Sequence, residues 1–428
     1  MDTVRNLLTG NVRQYGMVLA LAAIVVFFQI QTDGVLLRPL NVSNLLTQNS
    51  YILILAIGMV VVIICRHIDL SVGSVAGFVG AVAAIMMTRW DLPWWLAIVL
   101  CLALGALIGA WHGFWVAYVG IPAFIVTLAS MLIFRGLTLT VLNGETVGGL
   151  PGPFEAMGNG FLPELGPDTG YHNLTLLLGV VISAFVVWIE LRRRASGRRY
   201  SFVVSPAPVF AAKLVVEVAV IMYVVYLLAQ YRGLPVVGVL LFALIGLYSF
   251  IMSRTVLGRQ IYAVGGNVEA ATMSGVRSKR VDFLVMTNMG VLAALAGMVF
   301  AARLTAANPK AGVNFELDAI AASFIGGAAV TGGVGTVVGA IIGGFVMGTL
   351  NNGMSLMGVG IDWQQTIKGL VLLAAVAFDV YNKRRARVGG GAGAEAATEA
   401  APPPELEKLV DERSPDLVVD GEEPIGRR

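Results

Sequence analysis

Long apolar runs alternate with short polar breaks along almost the whole chain. Bounded by charged or Gly/Pro-rich breaks, the runs fall at 15–30, 51–65, 70–88, 94–119, 123–142, 173–189, 209–229, 235–252, 283–302, 317–331, 336–350 and 364–381. A bilayer core about 30 Å thick takes roughly 20 apolar residues per helix, because each backbone N–H and C=O must be satisfied within its own segment. The pattern therefore predicts an all-α polytopic membrane protein of about 12 transmembrane helices. The breaks at 66–69 and 331–335 are too short for ordinary loops, and read as places where Gly-rich helices are broken inside the protein.

Composition agrees: 13% of residues are charged, 57% are hydrophobic and the mean hydropathy is +0.81. The first run follows Arg5 and Arg13 like a signal peptide, but QTDGVLLRPL after it lacks a small-residue cleavage site, so the run reads as a retained span. Charge then divides the chain in two. Residues 388–428 hold ten of the 26 acids and four of the 29 bases, which leaves residues 1–387 with 25 bases and 16 acids. Residues 1–387 are read as the transmembrane domain. The acidic, Gly/Ala/Pro-rich tail 388–428 has too little apolar surface to offset ordering entropy and is expected to be disordered.

The basic residues also orient the spans. RRRASGRR in 190–208, five bases in 253–282 and NKRRAR after 381 all fall on one side, whereas 143–172 has four acids and no Lys or Arg. The positive-inside rule then places both termini in the cytoplasm. No function requiring a nucleic-acid partner is suggested.

Several polar stretches interrupt this frame. In the loop 253–282, Asn267 is an N-cap candidate, Glu269 sits in a first turn and Gly275 closes a short helix. Gly265-Gly266 before it would permit a sharp turn and a close approach to another protein. The segment reads either as a solvated loop or as a docking helix for a cytoplasmic motor. In RHIDLSVGS (66–74), Asp69 lies between apolar runs and is costly unless it is paired or faces water. Either Arg66 pairs with it, or it sits at a broken helix where Ser71 and Ser74 cap freed backbone groups.

In 308–353, Gly335, Gly339 and Gly343 recur every four residues as a small-residue packing face. Asn308, Glu316 and Asp318 on the outer side, with Asn351 and Asn352 after the second half, bring polar groups to a Gly-broken pair of short segments, a transporter-like setting. Asn351, Asn352, Trp363, Gln364 and Gln365 offer amides and an aromatic face suited to a sugar. GALIGAWHGF (105–114) and GAIIGGFVMG (339–348) form a weak internal repeat. Lys213 and Glu217 are spaced as an i,i+4 pair, and Glu217 or Asp69 is the candidate carrier if transport is proton-coupled.

Catalysis has no candidate residues. Gly-Lys never occurs, so the chain holds no P-loop of its own. Cys65 and Cys101 lie in apolar runs, and His67, His112 and His172 are far apart, so neither a disulfide, a metal-ligand cluster nor a nucleophile–base pair is expected.

The combination IDLSVGS (68–74), IPAFIVTLASMLIFRG (121–136), GRQIYAVGGNVEAATMSGV (258–276) and ELDAIAASFIGGAAVTGGVGTVVGAIIGGFVMGTLNNGMS (316–355) resembles the membrane subunit of bacterial ABC sugar importers of the ribose/xylose/galactose type. The resemblance covers residues 15–385. It is nearest to the D-xylose permeases, on NVSNLL (41–46), YAVGGNVEAA, NNGMS (351–355) and an extra pair of spans around 170–230. It implies a homodimeric permease in the bacterial inner membrane with a fold similar to vitamin-B12-type importer permeases. The implied partners are a cytoplasmic ATPase subunit that uses the ATP, and a periplasmic sugar-binding protein. No cofactor is implied for this chain. The implied coupling segment comprises Gly258, Arg259, Tyr262, Gly265, Gly266, Asn267, Glu269, Ala270, Ser274 and Gly275. Asp69, Ser71, Asn308, Glu316, Asp318, Asn351 and Asn352 are the candidate path or gate residues. Arg66-His67 departs from the family pattern, as does the acidic tail. The rival readings are a proton-coupled secondary transporter and a channel-like facilitator.

Overall fold

The computed structural model describes residues 12–167, 169–199 and 206–377. The tail 388–428 lies outside the described residues. The helices are α1 (Val12–Gln31), α2 (Pro39–Ile64), α3 (Val72–Thr88), α4 (Trp94–Phe114), α5 (Ala123–Leu142), α6 (Gly152–Asn159), α7 (Asn173–Arg199), α8 (Ala207–Ala229) and α9 (Val236–Arg254). They continue as α10 (Val256–Gly266), α11 (Val268–Met273), α12 (Ser278–Leu304), α13 (Phe315–Ile325), α14 (Val337–Leu356) and a helix over 361–376, α15. One π-helical turn, Trp115–Val119, extends α4.

Among the described residues eight helices are long and apolar enough to span a bilayer: α2, α4 with its π turn, α5, α7, α8, α9, α12 and α14. The remaining four of the twelve expected segments are shorter or partial. The apolar part of α1 is Gly16–Gln31, and α3 has 17 residues. The segment expected at 317–331 is helical only over the 11 residues of α13, about 16 Å at 1.5 Å per residue, too short to cross alone. The second span begins earlier than expected, at Pro39, whose fixed φ suits a first helical turn.

The centre of the bundle is α2, which is buried along nearly its whole apolar length, with α12 packed on it. Other helices show lipid-type faces instead. Val216, Val220 and Tyr223 on α8 and Val180, Val181 and Phe185 on α7 are exposed, as expected where hydrocarbon is the solvent.

Helix α12 is in backbone contact with α4. Gly290 meets the carbonyl of Gly105 and the backbone of Gly109, and Gly113 reaches Phe283. A Cβ at Gly290 would collide with the Gly105 oxygen. The second small-residue face does the same job elsewhere: Gly339 and Gly343 of α14 lie against the Gly326 and Ala322 carbonyls at the end of α13. The two glycine pairs of the weak internal repeat are thus both helix-packing contacts.

The two ends of α12 define the two ends of the molecule. Beyond Leu304, a two-stranded antiparallel ribbon pairs Val147 with Ala307 and Gly148 with Ala306, and α6 packs against α12. Asn159 donates to the Ala302 and Arg303 carbonyls at 3.2 and 2.7 Å, which caps the last turn of α12. His172 holds this end too, with Nε2 2.9 Å from the Leu162 carbonyl and Nδ1 2.9 Å from the Thr175 hydroxyl. At the other end, before Ser278, lies the arm formed by α10 and α11.

Gly290→Val should force α4 and α12 apart and cost about 1–3 kcal/mol or more by overpacking. It is expected to lower the thermal-unfolding midpoint in detergent. Gly136→Val, at a site with nothing within 4 Å of a new Cβ, should leave the midpoint unchanged.

Candidate functional site

Two stretches of irregular backbone enter the bundle. After Ile64 the chain leaves α2 with Arg66 in a left-handed conformation (φ 69°), runs extended to Leu70 and resumes as α3 at Val72. After Leu304 it forms the ribbon and then turns back among the helices, where Gly312 packs against Gly73 and Ala311 against Gly77. α13 begins there, beside the start of α3, and stops at Gly326, and the connection 326–336 leads to α14. Both sequence breaks fall on non-helical backbone between helices, and Asp69, Ser71, Gly332 and Gly335 at them are buried.

Asp69 is buried in the first break. Its Oδ1 accepts from the Ser71 N–H at 2.8 Å and the Ser71 hydroxyl at 2.6 Å, and the Ser74 hydroxyl donates to the Ser71 carbonyl at 2.8 Å. Asp69 thus satisfies a freed N–H at the helix break, whereas the Ser71 side chain bonds Asp69 and makes no cap to the helix. The alternative, an Arg66–Asp69 ion pair, is absent among the described residues: the left-handed turn carries Arg66 across Gly332. Thr127 of α5 donates to the Ala123 carbonyl within its own helix at 2.9 Å, and its hydroxyl also lies 3.4 Å from the Ile68 carbonyl.

Glu316 and Asp318 occupy the first turn of α13, where carboxylates complement a helix N-terminus. Both are buried, and the turn through Gly312 sets α13 beside the start of α3. Glu316 is 3.6 Å from Arg135 of α5, and its second oxygen is buried without a partner near Gly73. Asp318 is 3.1 Å from Lys368 of α15. Sequence reading missed both cations, although a charge inside an apolar run, as in LIFRG or TIKGL, is itself a functional signal.

The remaining path candidates separate. Asn352 is buried and exchanges two hydrogen bonds with Asn41 of α2, at 2.8 and 3.0 Å, so both its amide groups are taken up in joining α14 to α2. Asn308 belongs to the ribbon end, 3.3 Å from the Thr146 hydroxyl. Asn351 keeps a buried, unpartnered Oδ1. Gln364 donates to the Val359 carbonyl at 2.8 Å, and Trp363 is exposed. Lys213 pairs with Glu217 at 3.5 Å as its spacing implies, and also with Glu190 of α7 at 3.0 Å.

The arm is built as its sequence reads. Asn267 caps α11 by accepting from the Ala270 N–H at 3.0 Å, Glu269 is exposed in the first turn, and Gly275 (φ 84°) ends the element after Ser274. α10 is capped in turn by Thr255, which accepts from Gly258. Arg259 lines a cavity of about 820 Å³ with Tyr262, Lys213, Glu217 and Thr336. Gly265 and Gly266 are the last helical residues of α10, not a turn, and the turn falls at Asn267. Their close approach is to the chain itself: a Cβ on Gly265 would strike the Ile64 carbonyl, and Gly333 lies against Gly266.

Three segments thus meet in one clamp. The Gly333 N–H donates to the Ile64 carbonyl at 2.8 Å, and the Tyr262 hydroxyl donates to the Gly335 carbonyl at 2.7 Å. Burial pushes the Tyr262 phenol up, so it remains a donor. The arm is thereby tied to the ends of both broken helices. Its tip carries Met273, 89% exposed, an apolar side chain that the sequence reading overlooked.

A family model described as branched-chain amino acid transport system, permease component, matches residues 41–376. The xylose transport system permease protein XylH of Haemophilus influenzae is 42% identical over 375 residues, 88% of this chain and 98% of that protein. XylH of Escherichia coli K12 is 44% identical over 382 residues, 88% of this chain and 93% of that protein. The ribose import permease protein RbsC of E. coli K12 is 36% identical over 345 residues, 81% of this chain and 86% of that protein. No solved structure matches the chain. The polytopic helical bundle, the model match over residues 41–376 and these relatives agree: the chain belongs to this family of transport-system permease components.

Proposed function

We propose that this chain is the membrane-spanning permease of an ATP-driven sugar importer, with D-xylose as its substrate. The identity of 42–44% to two xylose permeases over 88% of the chain carries the reading. The substrate in the family model's description differs, but the relatives that match along nearly their full length are sugar permeases.

In this reading two copies pair in the bacterial inner membrane with both termini cytoplasmic. A binding protein delivers the sugar to the ribbon end, and an ATPase subunit docks at the arm. The residues that would meet the ATPase are the exposed ones on α11 and its flanks: Gly266, Asn267, Glu269, Ala270, Ser274 and Gly275. Gly258, Tyr262 and Gly265 would transmit the movement, because each packs or bonds inward. Arg259, beside the cavity, links the two groups. Motion of the arm would pull on Ile64 and on Gly333–Gly335 together, and so on the unwound segments that hold Asp69, Ser71, Glu316 and Asp318. The fold proposed is of the vitamin-B12-importer type, with about twelve transmembrane helices, some of them broken. Neither proton-carrier candidate has the setting of a free relay: Asp69 caps backbone, and Glu217 is paired with Lys213.

Initial-rate uptake of labelled D-xylose in cells lacking and then regaining this gene tests the reading, with a protonophore present and ATP preserved. Restored uptake that survives the protonophore is expected. Restored uptake that the protonophore abolishes would overturn the ATP-driven assignment, and no restoration would overturn xylose as the substrate.

Gly266→Asp and Glu269→Lys test the coupling role. Both sites are exposed and a Cβ at Gly266 meets nothing within 4 Å, so insertion and yield should match wild type. Uptake is expected to fall at least about tenfold, the effect of about 1.4 kcal/mol. Normal uptake in both variants would refute coupling through α11.

Lys368→Met should leave the Asp318 carboxylate buried and unpaired, at a cost of about 3–5 kcal/mol. A lower unfolding midpoint is expected, recovered in part by adding Asp318→Asn.

A further inference from the structure

One cluster of ligand-type side chains takes no part in the arm, the path or the packing contacts above. Cys65, the residue that follows α2 at its C-cap, and His67, two residues on, both face Asp282 in the first turns of α12. The Cys65 thiol donates to Asp282 Oδ1 at 3.3 Å, and His67 Nε2 lies 3.1 Å from the same oxygen. The sulfur, the imidazole nitrogen and the carboxylate oxygen all lie within 4.8 Å of one another. Separation in sequence hides the group: Asp282 lies 217 positions beyond Cys65.

We propose that Cys65, His67 and Asp282 form a binding site for a divalent transition metal of the zinc class. Three observations carry this. Tetrahedral bonds of about 2.0–2.3 Å place neighbouring ligand atoms about 3.3–3.7 Å apart; the Cys65–Asp282 separation of 3.3 Å meets the lower edge of that range and the His67–Asp282 separation of 3.1 Å lies just below it. The donor set of one thiolate, one imidazole and one carboxylate suits a borderline-soft ion and not magnesium or calcium. Finally, the left-handed turn at Arg66 puts residues i and i+2 on one side of the chain and carries the Arg66 side chain away over Gly332. His67 and Asp282 are 21% and 18% exposed in their side chains, which leaves a way in and a fourth coordination position for water, whereas Cys65 is fully buried.

Binding releases the thiol proton to solvent as the sulfur becomes a thiolate ligand. It would also pin the first residues of the unwound segment to α12, next to Ile64, whose carbonyl holds Gly333. The metal would therefore stiffen the clamp. This site stands independently of the transport reading.

The test uses the full chain, purified in detergent without a polyhistidine tag, titrated with Co²⁺ and back-titrated with Zn²⁺. One equivalent of Co²⁺ should give visible d–d bands of tetrahedral intensity with a thiolate-to-metal charge-transfer band, both bleached by Zn²⁺. Cys65→Ser should abolish the charge-transfer band, whereas Cys101→Ser, at the other cysteine, should keep it. His67→Gln should keep the band and weaken binding by more than the about 10–100-fold typical of losing an outer-shell partner. Zn²⁺ should also raise the unfolding midpoint of wild type and not of Cys65→Ser. Absence of a thiolate band in wild type, or its persistence in Cys65→Ser, would overturn the proposal. If Cys65→Ser does not fold, an unchanged Co²⁺ affinity in His67→Gln would overturn it equally.

Discussion

The contact on which the rest of the molecule depends is the backbone meeting of Gly265, Ile64 and Gly333. Ile64 ends the most buried helix, and its carbonyl would lack a helical partner there. Gly333 supplies the missing donor, and it can do so because Gly265 has no side chain to hold the backbones apart. The bond itself is worth about 0.5–1.5 kcal/mol, but its geometry joins the arm, the first break and the second break. A methyl at Gly265 would separate all three.

The two unwound segments follow the same logic. Each frees backbone groups that must find partners inside the protein, and the nearby side chains provide them: Asp69 for Ser71 and Thr336 for Gly339. The carboxylates at the start of α13 are then held by cations from two different helices, Arg135 and Lys368. Buried pairs of this kind gain little net stability over apolar packing, and losing one partner is expensive. They make the positions of α5 and α15 relative to α13 hard to change independently. Local movement of α13 would therefore be felt across the bundle.

Much of this was legible in the chain. Apolar runs and their charged flanks mark every long helix, and the break positions at 66–69 and 331–335 stand out because they are too short to be loops. The α11 cap at Asn267 and the closing Gly275 are local devices, so residue type and spacing suffice. What was not legible is what depends on distant partners. Asn352 reads as a pore-lining amide, but Asn41, 311 residues away, pairs with it. Asp69 reads equally as an ion-pair partner of Arg66 or as a residue at a broken helix, and the turn at Arg66 decides between them. Gly265-Gly266 reads as a turn or a docking surface, and the approach is instead to the chain's own broken helices. Nothing local distinguishes these outcomes. The metal-type cluster is hidden for the same reason, since it forms only when α12 lies beside the end of α2.

Amide hydrogen exchange of the full chain in lipid nanodiscs, wild type against Gly265→Ala, tests the clamp most directly. The account predicts that segments 60–70, 258–267 and 326–336 all exchange faster in the variant, to similar extents, while the ribbon segments 145–150 and 304–309 keep their wild-type rates. Faster exchange confined to 258–267 would contradict it, because the arm would then be free of the two broken helices.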